Sequence, residues 1–117
     1  MRSGIAPWWQ RGWQGFWTNQ RTALRLEDPD GTYDYDTPRH EVRWQGYLRA
    51  NDGRRWPLEV RWGPGTPFLP PRIYLDTVYS RVHQLRDGSL CLAHPAVSEV
   101  MEINAWLEQT RTWIDRY

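Results

Sequence analysis

The stretch VRWQGYLRANDGRRWPLEVRW, residues 42–62, decides the fold class. Apolar and polar side chains alternate over residues 42–48 and again over residues 56–62, which is the period of a strand with one buried face. Residues 51–53, Asn-Asp-Gly, lie between the two runs and tolerate the backbone conformations of a tight turn. The stretch therefore predicts an antiparallel hairpin.

Further strands are predicted on both sides of this hairpin. Apolar and polar residues alternate over 72–75, after the proline-rich segment GPGTPFLPP at residues 63–71. Each proline there removes a backbone donor, which suits a connection between strands. Upstream, the alternation over residues 24–27 predicts a short strand, and residues 28–37, with four aspartates, predict a solvated loop.

Helices are predicted near both ends of the chain. Trp9, Trp13 and Trp17 recur at helical spacing, and Pro7 suits a first helical turn. We interpret this stripe as a core-packing face, with a docking surface for a partner as the alternative. From Ser98, a predicted N-cap, a second helix presents one apolar face. That face consists of Ile103, Trp106, Leu107, Thr110, Trp113 and Ile114.

Composition and element order together predict one α+β domain over residues 1–117, with a sheet packed on helices. No internal repeat or membrane-length apolar run occurs, so we expect a cytoplasmic protein with no membrane partner. The chain contains fifteen basic and fourteen acidic residues, which gives a net charge of +1. This balance disfavours nucleic acid, although arginines interleaved with nine tryptophans keep single-strand stacking as a minor alternative.

Cys91 is the single cysteine, and it lies in VHQLRDGSLCLAHP, residues 82–95, between two of the three histidines. A lone cysteine forms no disulfide within the chain, and one cysteine with three scattered histidines lacks the spacing of a zinc site. We therefore expect no cofactor and no metal. Two interpretations of Cys91 stay open, an exposed nucleophile and a small buried side chain.

Four segments resemble the ubiquitin-conjugating enzyme family, and in particular its short prokaryotic branch. Residues 66–71 (TPFLPP) resemble the family's Tyr-Pro-Phe-x-Pro-Pro turn, with threonine in place of tyrosine. Residues 87–92 (DGSLCL) are similar to Asn-Gly-Ser-Ile-Cys-Leu around the family's cysteine. Residues 42–48 resemble its tryptophan-bearing strand, and residues 73–77 resemble a strand that ends in threonine.

This resemblance implies a ubiquitin-conjugating-enzyme-like fold with an N-terminal helix, a four-stranded antiparallel meander, an irregular cysteine loop and a C-terminal helix. Because 26 residues follow Cys91, we expect the last two helices of the eukaryotic members to be missing. The implied activity is transferase chemistry, in which Cys91 accepts a protein's C-terminal glycine carboxylate as a thioester and passes it to an amine.

The resemblance also implies partners. Short prokaryotic relatives occur beside anti-phage cyclic-oligonucleotide synthases, so the carried protein is expected to be such a cGAS-like nucleotidyltransferase, or else a ubiquitin-like protein. The sequence has no phosphate-binding glycine loop, which means that activation of the carboxylate must occur in trans.

An ungapped alignment from Thr77 to Cys91 places His83 where the family has the asparagine of His-Pro-Asn, which is thought to stabilise the oxyanion. His83 is therefore a catalytic candidate with Cys91, either as an oxyanion donor or as a base. His94, Asp87 and Ser89 are auxiliary candidates.

The sequence contains no lysine, so a carried acyl group would have no lysine of its own chain to attack it. Genomic base composition is the alternative explanation. Two rival functions also stay open: a non-catalytic adaptor of the same fold, and a hydrolase that uses Cys91 with His83.

Overall fold

The computed structural model describes residues 6–75, 89–90, 92 and 102–116. Within these residues two helices flank a four-stranded antiparallel sheet, which confirms the predicted α+β class. The strands follow one another in the order β1-β2-β3-β4, as a meander. The elements are α1 (Gln14–Glu27), β1 (Thr32–Asp36), β2 (Glu41–Arg49), β3 (Arg55–Trp62), β4 (Arg72–Leu75) and α2 (Ile103–Arg116).

Helix α1 begins later and ends later than the sequence predicts. Residues 8–12 form turns, and Gly12 has a φ of +89°, a conformation that glycine adopts without strain and that precedes the helix. The predicted strand at residues 24–27 is wrong, because these residues form the last turn of α1. Leu24 is buried at helical spacing from Trp17 and Gln20, and this helical pattern prevails over a short alternation.

The N-terminal tryptophans divide between core and surface. Trp9 and Trp17 are buried, as is Trp8, whereas Trp13 is 36% exposed. Trp8 and Trp17 meet edge to face with ring centroids 5.5 Å apart, and Trp17 meets Trp62 of β3 in the same way at 5.1 Å. The core interpretation is therefore correct for most of the stripe, and Trp13 is the exception.

Strand β1 lies inside the segment that was predicted to be a solvated loop, so that prediction is wrong over residues 32–36. Tyr33 and Tyr35 alternate with aspartates and pair with Trp44 and Val42 of β2. Tyr33 also packs on Trp17. The acidic composition of the segment is typical of a loop, which is why the strand was not predicted from the sequence. Its tyrosines lie on one face and its aspartates on the other.

The hairpin of β2 and β3 confirms the prediction. Gly53 has a φ of +87°, and the turn is closed by hydrogen bonds from the Ala50 N–H to the Arg54 carbonyl at 2.8 Å and from the Gly53 N–H to the Ala50 carbonyl at 3.0 Å. The register places Leu48 opposite Trp56. The alternation therefore aligns the apolar residues of both strands on one face.

Trp44 occupies the centre of the buried face and requires two glycines beside it. A Cβ atom on Gly46 would lie 2.4 Å from the Trp44 ring, and one on Gly31 would lie 2.3 Å from it. Real Cβ atoms do not approach a ring this closely, so both positions exclude any side chain while the indole stays in place.

Carboxylates from the end of α1 cover the part of β2 that extends beyond β1. The Tyr47 N–H donates to Oδ2 of Asp28 at 2.8 Å, and the Arg49 N–H donates to Oε2 of Glu27 at 3.1 Å. Arg111 of α2 forms an ion pair with Glu27 and donates from Nε to the Arg49 carbonyl at 2.8 Å. This cluster joins α1, β2 and α2.

Helix α2 confirms the predicted apolar face, because all six residues of that face are buried. The helix begins at Ile103, and the predicted N-cap, Ser98, lies outside the described residues. Neither helix in the described part of the chain is long and apolar enough to cross a membrane.

Candidate functional site

The chain neighbours of Cys91 are fixed to the core. The Leu90 N–H donates to the Ile73 carbonyl of β4 at 2.8 Å, and the Leu90 side chain is 5% exposed. Leu92 is partly buried and packs on the core cluster. The residue before the cysteine is thus held by a strand, and the residue after it rests on the core.

A groove runs beside these residues and has a volume of about 570 Å³. The β3–β4 connection, the beginning of β4, the neighbours of Cys91 and helix α2 all contribute to its walls. Residues that line it include Trp62, Pro70, Pro71, Leu90, Leu92 and Trp106. We call it the proline groove.

The proline-rich segment holds its shape by local hydrogen bonds. Thr66 is 5% exposed, and its Oγ1 donates to the Gly63 carbonyl at 2.7 Å. The amides of Phe68 and Leu69 both donate to the Gly65 carbonyl at 3.0 Å, and the Thr66–Pro67 peptide bond is cis. The Thr66 side chain therefore stabilises, from within, the turn that forms one wall of the proline groove.

The structure covers the predicted site residues only in part. Cys91, His83, His94 and Asp87 lie outside the described residues. Ser89 is described and is 1% exposed, in a fixed position two residues before the cysteine. The catalytic and auxiliary roles of these residues stay predictions.

The outer face of the sheet carries a charged surface that the sequence reasoning missed. Arg43 of β2 lies directly opposite Arg61 of β3, which lies directly opposite Arg72 of β4. We call these three residues the arginine row. All three are exposed, and two of them, Arg61 and Arg72, also line the proline groove. Combining the alternation in each strand with the hairpin register would have revealed this row.

Ion pairs and hydrogen bonds surround the arginine row. Arg43 donates to Oδ2 of Asp34 at 2.6 Å, and Arg61 pairs with Glu59. Gln45 donates to Oε1 of Glu59 at 2.8 Å. Burial raises the pKa of Glu59, but the hydrogen bonds from Gln45 and Arg61, together with the positive charges of Arg61 and Arg43, outweigh this effect, so its pKa is lowered from the usual value.

Two tyrosines on the same face lie under arginine side chains. The Arg61 guanidinium is 4.4 Å from the centroid of the Tyr74 ring, and the Arg55 guanidinium is 4.7 Å from that of Tyr47. Both distances are typical of cation–π contacts. Each ring therefore has a cation over one of its faces.

No protein-family model matches the chain, and no curated protein or solved structure matches it either.

Proposed function

We propose that the chain is a ubiquitin-conjugating-enzyme-like transferase that carries an acyl group as a thioester on Cys91. The observation that supports this most directly is the meeting of two distant segments. Pro70 and Pro71 of the proline-rich turn line the same groove as Leu90 and Leu92, the two neighbours of the only cysteine. Two of the four segments that carry the family resemblance thus share one surface.

The chemistry requires a thiolate, because the thiolate and not the thiol is the nucleophile. The Cys91 sulfur attacks the carbonyl carbon of an activated glycine carboxylate, and the group that activated the carboxylate leaves with the bonding electrons. An amine then attacks the thioester carbon, the C–S bond breaks, and the nitrogen loses a proton as the amide forms. Cys91 ends as a thiolate, ready for another cycle.

His83 would act in the second step. An N–H donor near the thioester oxygen stabilises the negative charge that develops there as the amine attacks. A neutral imidazole could instead remove the proton from the attacking amine. The two roles differ in their pH dependence, because only the base must lose its proton before the reaction.

The acceptor amine and the activating step would come from other proteins. The carried group would be the C-terminal glycine of a nucleotidyltransferase that makes cyclic oligonucleotides in anti-phage defence, or of a ubiquitin-like protein. The absence of lysine from the chain supports acyl carriage on Cys91, since no lysine of the carrier can compete with the acceptor.

Intact-mass analysis of protein co-expressed with its genomic neighbours tests the proposal. We expect an adduct that dithiothreitol and hydroxylamine release, and the released mass identifies the passenger. Cys91→Ser should trap the same passenger as an ester that resists dithiothreitol, because an alkoxide leaves less readily than a thiolate. Cys91→Ala is the control and should carry nothing. If each of the three proteins had only the mass of its unmodified chain, with no adduct, the proposal would be contradicted.

A non-catalytic adaptor is the second candidate, and an exposed apolar patch favours it. Phe68 is 74% exposed, Leu69 is 64% exposed, and Phe68 contacts the partly exposed Trp13 with ring centroids 5.4 Å apart. Alkylation by iodoacetamide separates the two candidates. A transferase requires a Cys91 that reacts faster in the native protein than in urea, whereas an adaptor has no such requirement.

A further inference from the structure

The arginine row places like charges side by side in the middle of the sheet. Neighbouring strands lie about 4.8 Å apart, and like charges directly opposite each other on neighbouring strands destabilise a sheet. Here three arginines follow one another across three strands. Asp34 and Glu59 offset part of this repulsion, and a ligand that brings further carboxylates to this surface would offset more of it.

Two residues of the row pair with carboxylates, and one of these two carboxylates can be exchanged. The side chains of Arg43 and Arg61 are 44% and 45% exposed, and each pairs with a carboxylate on the same open face. Exposed ion pairs contribute little to stability, because water solvates the separated charges almost as well. The pair between Arg43 and Asp34 is of this kind, so an incoming carboxylate can replace Asp34 with little loss. Glu59, in contrast, is 16% exposed and keeps its contacts with Arg61 and Gln45.

The surroundings of the row favour an acidic polypeptide over a single-stranded nucleic acid. Tyr47 and Tyr74 each have a guanidinium over one ring face, so neither offers that face to a base for stacking. Asp34, opposite Arg43 at the β1 end of the row, and Glu59, beside Arg61 on β3, would repel a continuous phosphate backbone. Separate carboxylates on a peptide can be matched to individual arginines, in the bidentate geometry that a guanidinium prefers.

We propose that the arginine row is a docking surface for an acidic segment of a partner protein. Because Arg61 and Arg72 also line the proline groove, a segment bound to the row lies beside the neighbours of Cys91. Docking does not require the chemistry proposed for Cys91, and a Cys91→Ser variant should bind the segment as well as the wild type does.

Fluorescence polarisation with a short fluorescein-labelled peptide of alternating glutamate and glycine tests this docking. The reference peptide replaces each glutamate by glutamine. We expect the glutamate peptide to bind more tightly, with an affinity that falls as salt is added. The double variant Arg43→Gln/Arg72→Gln should weaken binding about tenfold, the loss expected for two exposed ion pairs.

The double variant Arg39→Gln/Arg54→Gln is the matched control. Both of its arginines are exposed and paired with an aspartate, as Arg43 is, but they lie outside the row. It should bind the glutamate peptide like the wild type. Arg43→Lys/Arg72→Lys keeps the charge and gives a second test if the glutamine variant does not fold; it should bind with intermediate affinity.

Three results would overturn the proposal. The first is equal affinity for the glutamate and glutamine peptides. The second is equal weakening by the control variant, which would show that net charge alone governs binding. The third is tighter binding of a thymidine oligonucleotide than of the glutamate peptide through the same arginines, which would assign the row to nucleic acid.

Discussion

The side-chain oxygen of Gln20 accepts a hydrogen bond from the backbone N–H of Ile103 at 2.6 Å, across 83 positions of the chain. Gln20 is fully buried, and its amide nitrogen donates to the Phe16 carbonyl at 2.9 Å. The first N–H groups of a helix have no partner within the helix, so a residue of α1 here caps α2. The relative position of the two helices is therefore fixed by a polar contact as well as by packing.

Replacing Gln20 by leucine should destabilise the protein by about 1–3 kcal/mol, because the buried N–H of Ile103 loses its acceptor. Urea denaturation measures the change as a lower midpoint at constant slope. Asn19→Leu, one position earlier on the exposed side of α1, is the control and should change stability by less than about 0.5 kcal/mol. Equal effects of the two substitutions would contradict the capping role.

Glycine-to-alanine substitutions should have opposite signs at two positions. Gly46→Ala places a methyl group 2.4 Å from the Trp44 ring, and the repacking that follows should cost about 1–3 kcal/mol. Gly15→Ala, in α1 with nothing within 4 Å, should stabilise the protein by up to about 1 kcal/mol. Thermal unfolding of both variants checks this, and a neutral Gly46→Ala would show that Trp44 can move aside.

Lowering the pH should remove the part of the folding stability that the ionised Glu59 carboxylate contributes. Its pKa is lowered in the folded protein, so the stabilisation is fully present above the unfolded value of about 4.3 and is lost as the pH falls through the folded value. Glu59→Gln should therefore flatten the dependence of the unfolding free energy on pH below about 4.5. Asp30→Asn, an exposed carboxylate on the same side of the sheet, serves as the comparison. An unchanged slope for Glu59→Gln would contradict the prediction.

Substitution of His83 should distinguish its two proposed roles. If His83 is an oxyanion donor, His83→Ala should slow discharge of a preloaded thioester by about 10²-fold, and His83→Asn should recover part of that loss. If it is a base, asparagine cannot substitute, and the wild-type rate should rise with pH through the histidine range. Single-turnover discharge across pH measures both. Equal rates for all three proteins would exclude both roles.

The sequence predicted those elements whose burial pattern has a single period. The apolar face of α2 was correct at six residues, since each follows a helical repeat, and the hairpin followed from two runs of alternation around Asn-Asp-Gly. Residues 24–27 were misassigned because four residues fit a strand as well as the last turn of a helix. Strand β1 was missed because it has as many aspartates as tyrosines and because Tyr33 and Tyr35 have ring contacts with Trp17, which is distant in the sequence.

For the surroundings of the candidate site, the sequence predicts only the order in which the motifs follow one another along the chain. The sequence places the proline-rich turn before Cys91, but the groove between them depends on β4 holding Leu90 through Ile73, a long-range contact that no local pattern specifies. The arginine row likewise depends on the registers of two strand pairs. Both features arise from pairing across the sheet, which periodicity along the chain does not report.

The carboxylates of Glu27 and Asp28 have a consequence for self-association. A strand whose amide donors face open solvent can recruit a strand from another molecule, and this is how domain swapping and amyloid growth begin. Along β2 the amides of Tyr47 and Arg49 are already occupied by these two side chains. Both amide donors therefore have an acceptor in the part of β2 that β1 does not pair with. Aggregation by edge-to-edge pairing is blocked at that position.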